Sequence, residues 1–211
     1  MSLFSFFAEH RAEILRSMWE HMSMVGIAMA LAIAIGVPLG VLVTRFSKLR
    51  VPILGVSNIV QTIPSLALFG FLLPLPWLAV RSERVAITAL VLYALLPVIR
   101  NTYAGITGVD PAVREIGKAM GMTDWQLLSK VDLPLAMGTI MAGIRVATVI
   151  TIGVATIAAA VGAGGLGQFV FRGVAMVDSQ LILAGAIPAA VLALTADVGL
   201  GWVQKRLQRN R

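Results

Sequence analysis

DPAVREIGKAMGMTDWQLLSKVDLP, residues 110–134, is the one long polar interval in an otherwise apolar chain, and it carries its own helix punctuation. Asp110 before Pro111 reads as an N-cap with proline at the first helical position, where a missing N–H costs nothing. Val113, Ile116, Gly117 and Met120 then share one helical face, while Arg114, Glu115 and Lys118 point elsewhere. Gly121 is placed to end that helix in a left-handed conformation. Thr123 with Gln126 three residues later forms a capping box for a second short helix, whose apolar content is Trp125, Leu127, Leu128 and Val131. Asp132 and Pro134 open the next apolar run. The expected shape is helix, glycine elbow, helix, proline restart: a compact knob between two hydrophobic stretches. Taken alone, it also fits an ordinary amphipathic loop lying on a membrane surface.

Composition bounds the rest. Of 211 residues, 58% are hydrophobic and 13% charged, with a mean hydropathy of +0.90. Soluble domains are about a quarter charged, so an all-α, polytopic membrane protein is expected. With no cysteine, disulfides and thiolate metal sites are excluded. The net charge of +7 follows from basic cytoplasmic loops in a multi-spanning chain and does not call for nucleic acid.

Residues 1–22 mix Phe4, Phe6, Phe7, Ile14 and Trp19 with Glu9, Arg11, Glu13, Arg16 and Glu20, which predicts an interfacial segment. They lack the basic n-region and small-residue cleavage site of a signal peptide. A transmembrane region then covers 23–204, with five spans at about 23–43, 52–79, 85–104, 135–161 and 180–203. Residues 205–211 form a basic tail. Gln61-Thr62-Ile63-Pro64-Ser65 interrupts the second span and predicts a kink whose freed carbonyl needs a partner inside the bundle.

Five spans put the termini on opposite sides. If the knob is cytoplasmic, the inner segments hold eleven Lys and Arg and the outer segments five. The excess places the N-terminus outside and the C-terminus in the cytoplasm.

Gly162-Ala163-Gly164-Gly165-Leu166-Gly167 formally matches a dinucleotide fingerprint. It follows an apolar span rather than a strand, and Gly185 stands where the acidic residue would be. A flexible turn permitting close helix approach, or a moving gate, fits better. No His or carboxylate cluster suggests a metal, and paired catalytic carboxylates are lacking, so no catalytic site is expected. His10 and His21 fall in the amphipathic N-terminal stretch, where a surface role is the default.

A charge inside a span is costly unless satisfied. Arg145 falls about 16 Å along the fourth span and Asp197 about 12 Å from the same face, at helical rise. Either the two pair as a helix-to-helix clamp, or each is satisfied by backbone, water or snorkelling. A stand-alone channel or carrier using them as an ion relay is a competing class of function.

Glu115, Gly117 to Ala119, Gly121 and Leu133-Pro134 resemble the Glu-Ala-Ala loop of binding-protein-dependent ATP-binding-cassette importers, with Glu115-Ile116-Gly117 standing in place of Glu-Ala-Ala. Three further stretches, Gln61-Thr62-Ile63-Pro64-Ser65-Leu66-Ala67-Leu68, Tyr93 to Tyr103, and Gly143-Ile144-Arg145 with the glycine-rich turn, are similar to the osmoprotectant-uptake permeases. That resemblance implies the type I importer permease fold (MetI-like) and uptake of glycine betaine, choline or carnitine. Methionine-type and other amino-acid importers are the alternative. It implies two permease subunits, two cytoplasmic ATPases that bind ATP and Mg, and an external binding protein. The chain itself would hold no cofactor and sit in the inner membrane. The coupling residues implied are Arg114, Glu115, Gly117, Lys118, Ala119, Gly121, Asp124, Leu133 and Pro134, with Glu115 and Arg114 contacting the ATPase. Gln61, Thr62, Ser65 and Tyr93 either line the translocation path or, for Gln61 and Thr62, stabilise the kink. Quaternary ammonium is held by aromatic cages. Two tyrosines, with Trp19, Trp77 and Trp202 near span ends, leave recognition mostly to the receptor.

Overall fold

The computed structural model describes residues 3–79 and 81–209; Met1, Ser2, Val80 and the last two residues of the basic tail, Asn210 and Arg211, lie outside it. The described chain is helical, in the order α1 (Leu3–Glu9), α2 (Arg11–Arg45), α3 (Ser47–Thr62), α4 (Ser65–Leu72), α5 (Pro76–Ala79), α6 (Ser82–Thr107), α7 (Pro111–Ala119) and α8 (Asp124–Leu127). A π-turn (Leu128–Asp132) leads into α9 (Leu133–Ala155), and a 3₁₀ turn (Ile157–Val161), α10 (Gly167–Met176) and α11 (Ser179–Arg209) complete it.

Four helices are long and apolar enough to cross a membrane, and α3 with α4 makes a fifth as a pair bent by 103°. The kink expected in the second span is thus a full break. Pro64 sits between the helices, and Ile63 leaves helical geometry at φ −70°, ψ 126°, as a residue before proline prefers. The expected N-terminal segment 1–22 also divides differently. Only Leu3–Glu9 is a separate helix, and residues 11–22 are the first turns of α2, because no glycine or proline stops the helix there.

α6 is the hub, packed by α2 on one side and α9 on another. Close approach rests on small residues, as in membrane bundles generally. A Cβ on Gly36 would come within 2.8 Å of Val98 Cγ1, and one on Gly40 within 2.5 Å of Thr102 Cβ. The core between these helices is Leu68, Phe69, Leu90 and Val98 set among Ala32, Ala86, Ala89, Ala147 and Ala155. A smaller cluster of Phe6, Ile14, Phe169, Leu181 and Ala184 seats α1 on α10 and α11. The glycine-rich turn takes left-handed backbone at Gly162, Gly164 and Gly165. The connection after it is mostly α10, whose Phe169 and Gly173 are buried at helical spacing. His21, expected at the surface, is fully buried, its Nε2–H donating to the Ile152 carbonyl at 3.1 Å.

Candidate functional site

α7 begins as its residues dictate, with the Asp110 carboxylate accepting from the Ala112 N–H at 2.9 Å and Pro111 in the first turn. It ends in a Schellman closure. Gly121 N–H donates to the Lys118 carbonyl at 2.9 Å and Met122 N–H to the Gly117 carbonyl at 3.1 Å, with Gly121 at φ +81°. α8 opens on the Thr123–Gln126 box, closed in both directions at 2.9 and 3.3 Å. The two helices touch at Gly117, where a Cβ would come within 2.8 Å of Leu127 Cδ1.

The apolar face of α7 is not folded into the protein. Gly117 alone of it is buried; Ile116, Met120 and, on α8, Trp125 are 61%, 74% and 72% exposed. Val113, Glu115, Lys118 and Ala119 are exposed beside them. An apolar patch of this kind, rimmed by charge at one end of the bundle, is the kind of surface that another protein or a membrane covers. Arg45, at the end of α2, steadies it by donating from Nη2 to the Asp124 carbonyl at 3.0 Å. Leu133 and Pro134 start α9, and Leu133 packs on the Ile106, Leu128, Ala136 and Ile140 cluster beneath the knob.

Arg114 departs from expectation. Its guanidinium turns inward, with Nε donating to Asp132 Oδ1 at 2.7 Å and Nη2 to the Ile106 carbonyl at 3.1 Å. Asp132 is 1% exposed. In sequence it reads only as the opening of the next apolar run, and its partner lies 18 residues away.

A two-helix knob with an unpartnered apolar face, standing between α6 and α9 of a five-span bundle, fits the comparisons with known proteins. Residues 32–209 match the family model described as binding-protein-dependent transport system inner membrane component. The chain belongs to that family. The carnitine transport permease protein OpuCB of Listeria monocytogenes is 44% identical over 98% of this chain and 93% of its own. The glycine betaine/carnitine/choline transport system permease protein OpuCD of Bacillus subtilis (strain 168) is 42% identical, over 96% and 88%. In structure, the chain is similar to one from inward-facing conformations of the MetNI methionine ABC transporter, with a TM-score of 0.85 over 94% of this chain and 98% of that one, at 23% identity.

Within this inner membrane component, Gln61 and Tyr93 meet at the broken span. Pro97 has no N–H, which leaves the Tyr93 carbonyl without its helical donor, and Gln61 Nε2 supplies one at 2.8 Å. In return the Tyr93 hydroxyl donates to the Ile63 carbonyl, freed by the break. Thr62 bonds within its own helix, to the Ile59 carbonyl at 2.7 Å, and Ser65 starts α4, half-buried. The geometry therefore gives Gln61 and Tyr93 a clear structural task. Tyr103 is engaged as well: Arg50 Nη1 donates to its hydroxyl at 2.9 Å.

Arg145 and Asp197 come together from α9 and α11 as a fork, Nε to Oδ1 and Nη2 to Oδ2, both at 2.6 Å. Gly201 makes room, since a Cβ there would fall 3.0 Å from Arg145 Nη1. Two parallel bonds satisfy most of what either ion needs in an apolar setting.

Proposed function

We propose that this chain is the permease subunit of an osmoprotectant importer, forming the path for quaternary amines such as carnitine, choline and glycine betaine, with ATP hydrolysed by partner subunits. The observation that carries it is near-full-length identity of 42–44% with the carnitine and glycine betaine/carnitine/choline permeases. The methionine alternative has only a shared fold at 23% identity behind it and is not favoured. The assembly has a second permease subunit, identical or homologous, two cytoplasmic ATPases holding ATP and Mg, and an external receptor. The chain spans the inner membrane with its N-terminus outside and its C-terminus in the cytoplasm. No catalytic site or cofactor of its own is needed.

Substrate choice lies mostly with the receptor. Neither tyrosine ring is open for a quaternary ammonium: Tyr93 is buried in the core cluster, and Arg50 already lies over the Tyr103 ring, 5.8 Å from its centroid. The exposed apolar residues Val113, Ile116, Met120 and Trp125 seat the knob in the ATPase, with Glu115 and Lys118 making polar contacts around them. Closure of the ATPase dimer on ATP displaces the knob and rotates the bundle, opening the path outward; release reverses it. A fork-paired Arg145 and Asp197 act as a clamp between α9 and α11 rather than as an ion relay.

The test is uptake by the reconstituted complex against glycine betaine, choline, carnitine, proline and methionine. ATP-dependent accumulation of at least one quaternary amine, with methionine at background, is expected. Accumulation of methionine alone, or uptake without the ATPase, overturns the proposal.

A further inference from the structure

Arg114 does not reach outward although it sits on the helix that carries the docking face. Its guanidinium binds two elements at once: Asp132 in the π-turn, at 2.7 Å, and the Ile106 carbonyl in the last turn of α6, at 3.1 Å. A cation at a helix C-terminus meets unsatisfied carbonyls and the negative end of the dipole. Asp132 is 1% exposed, and Arg114 is the cation beside it. A buried carboxylate stripped of its counter-ion is strongly disfavoured, so this tie is stiff.

The connectivity gives the tie its meaning. α8 runs through the π-turn directly into α9, so a push on Trp125 travels along one helical rod. α7 has no such continuity. It joins α6 through the turn at 108–110 and joins α8 through the elbow at 120–123. Beneath lies the small cluster of Ile106, Leu128, Ala136 and Ile140. Arg114 is thus the group that locks α7 simultaneously to the end of α6 and to the start of α9. Those two helices are also the closely packed pair at the centre of the bundle, where a Cβ on Gly105 would meet Ala136 Cβ at 3.1 Å.

We propose that Arg114 and Asp132 form an internal strut that turns displacement of the knob into joint movement of α6 and α9, so that Asp132, hidden from the ATPase, sets how much transport each ATP yields. Asp132 is a positioning residue: it acts through Arg114 and touches neither substrate nor motor. The inference rests on the coupling function proposed above.

The experiment uses the complete complex with ATPase and receptor. Three quantities are read: co-purification of the ATPase, uptake per ATP hydrolysed, and a spin-label distance within one chain between Met120→Cys on the knob and Thr156→Cys beyond α9, introduced into a chain without cysteine. In the unaltered strut this distance is the same, and narrow, with and without ATP. In Asp132→Asn the ATPase still co-purifies, the distance distribution broadens, and uptake per ATP falls at least about tenfold. In Arg114→Lys an ammonium reaches Asp132 or the Ile106 carbonyl but not both, and the ratio falls about threefold. If Asp132→Asn fails to reach the membrane, Arg114→Lys carries the decision. A wild-type ratio in whichever variant assembles overturns the strut, and so does loss of the ATPase from Asp132→Asn, which would make the residue part of docking. Ile116→Asp separates the two ideas. It places a charge on the exposed docking face and should release the ATPase; if it retains both ATPase and uptake, the coupling function itself fails.

Discussion

At the scale of single residues, the structure separates groups that bind something outside the chain from groups that satisfy the chain's own backbone. Gln61 is the clearest instance. Its amide fills the gap that Pro97 leaves at the Tyr93 carbonyl. Gln61→Leu should therefore cost about 1–3 kcal/mol of stability, the cost of a buried acceptor left unpaired. Thr62→Val should change stability by less than about 0.5 kcal/mol, because its hydroxyl bonds the Ile59 carbonyl at an exposed position where water can take its place. Thermal unfolding of the purified subunit measures both. Unchanged stability in Gln61→Leu together with lost uptake would return Gln61 to the path. Arg145 and Asp197 obey similar logic. Arg145→Ala and Asp197→Ala should each lower membrane yield, and the double variant should be no worse than the poorer single, since each single strands an ion inside the bundle. Strict additivity of the two losses would show that the fork contributes nothing as a pair.

Among the elements, the knob is where sequence and structure agree most closely, and the reason is local. Asp110, Gly121, Thr123 and Gln126 act on backbone groups two or three residues away, so their chemistry is visible in the order of letters. What the letters do not show is separated in the chain. Arg114 finds Asp132 across 18 residues, and His21 finds Ile152 across 131, so neither could be distinguished from a surface group beforehand. Breaks are only partly legible for a related reason. Proline at 64 announces a loss of helix but not the 103° by which the pieces diverge, which packing against α6 decides. α10 is hard to see in the letters because the glycines at its start read as turn. The elbow offers a sharp test of the local part. A Cβ at Gly121 meets nothing within 4 Å, so only its φ of +81° resists substitution. Gly121→Asn, which tolerates that conformation, should keep most uptake. Gly121→Leu should insert and fold, yet lose substrate-stimulated ATP hydrolysis and uptake by about tenfold or more, because a strain of about 1–2 kcal/mol is relieved by re-angling α7 against α8. Full uptake in Gly121→Leu would free the elbow of any coupling role.

For the molecule as a whole, the bundle has two chemically different ends. α9, 23 residues long, rises about 35 Å and so separates the knob from the glycine-rich turn and α10 by more than the apolar thickness of a bilayer. At the far end Arg172 pairs with Glu13 at 2.7 Å and Arg16 with Glu20, whose carboxylate also accepts from Gly165 N–H at 3.2 Å, while Arg81 and Arg84 stand exposed. At the knob end the basic residues Lys118, Lys130 and Lys205 stand exposed. A chain inserted by the positive-inside rule is expected to have the second end in the cytoplasm, which is the side on which the proposed ATPase would have to meet Ile116, Met120 and Trp125. The absence of cysteine makes this directly measurable. Met120→Cys and Val177→Cys, each highly exposed, report the two ends. A membrane-impermeant thiol reagent applied to intact cells stripped of any outer barrier should label Val177→Cys within minutes and Met120→Cys only after the membrane is opened. Labelling in the reverse order would put the docking face on the side without ATP, and no movement of the knob could then be driven by a cytoplasmic motor.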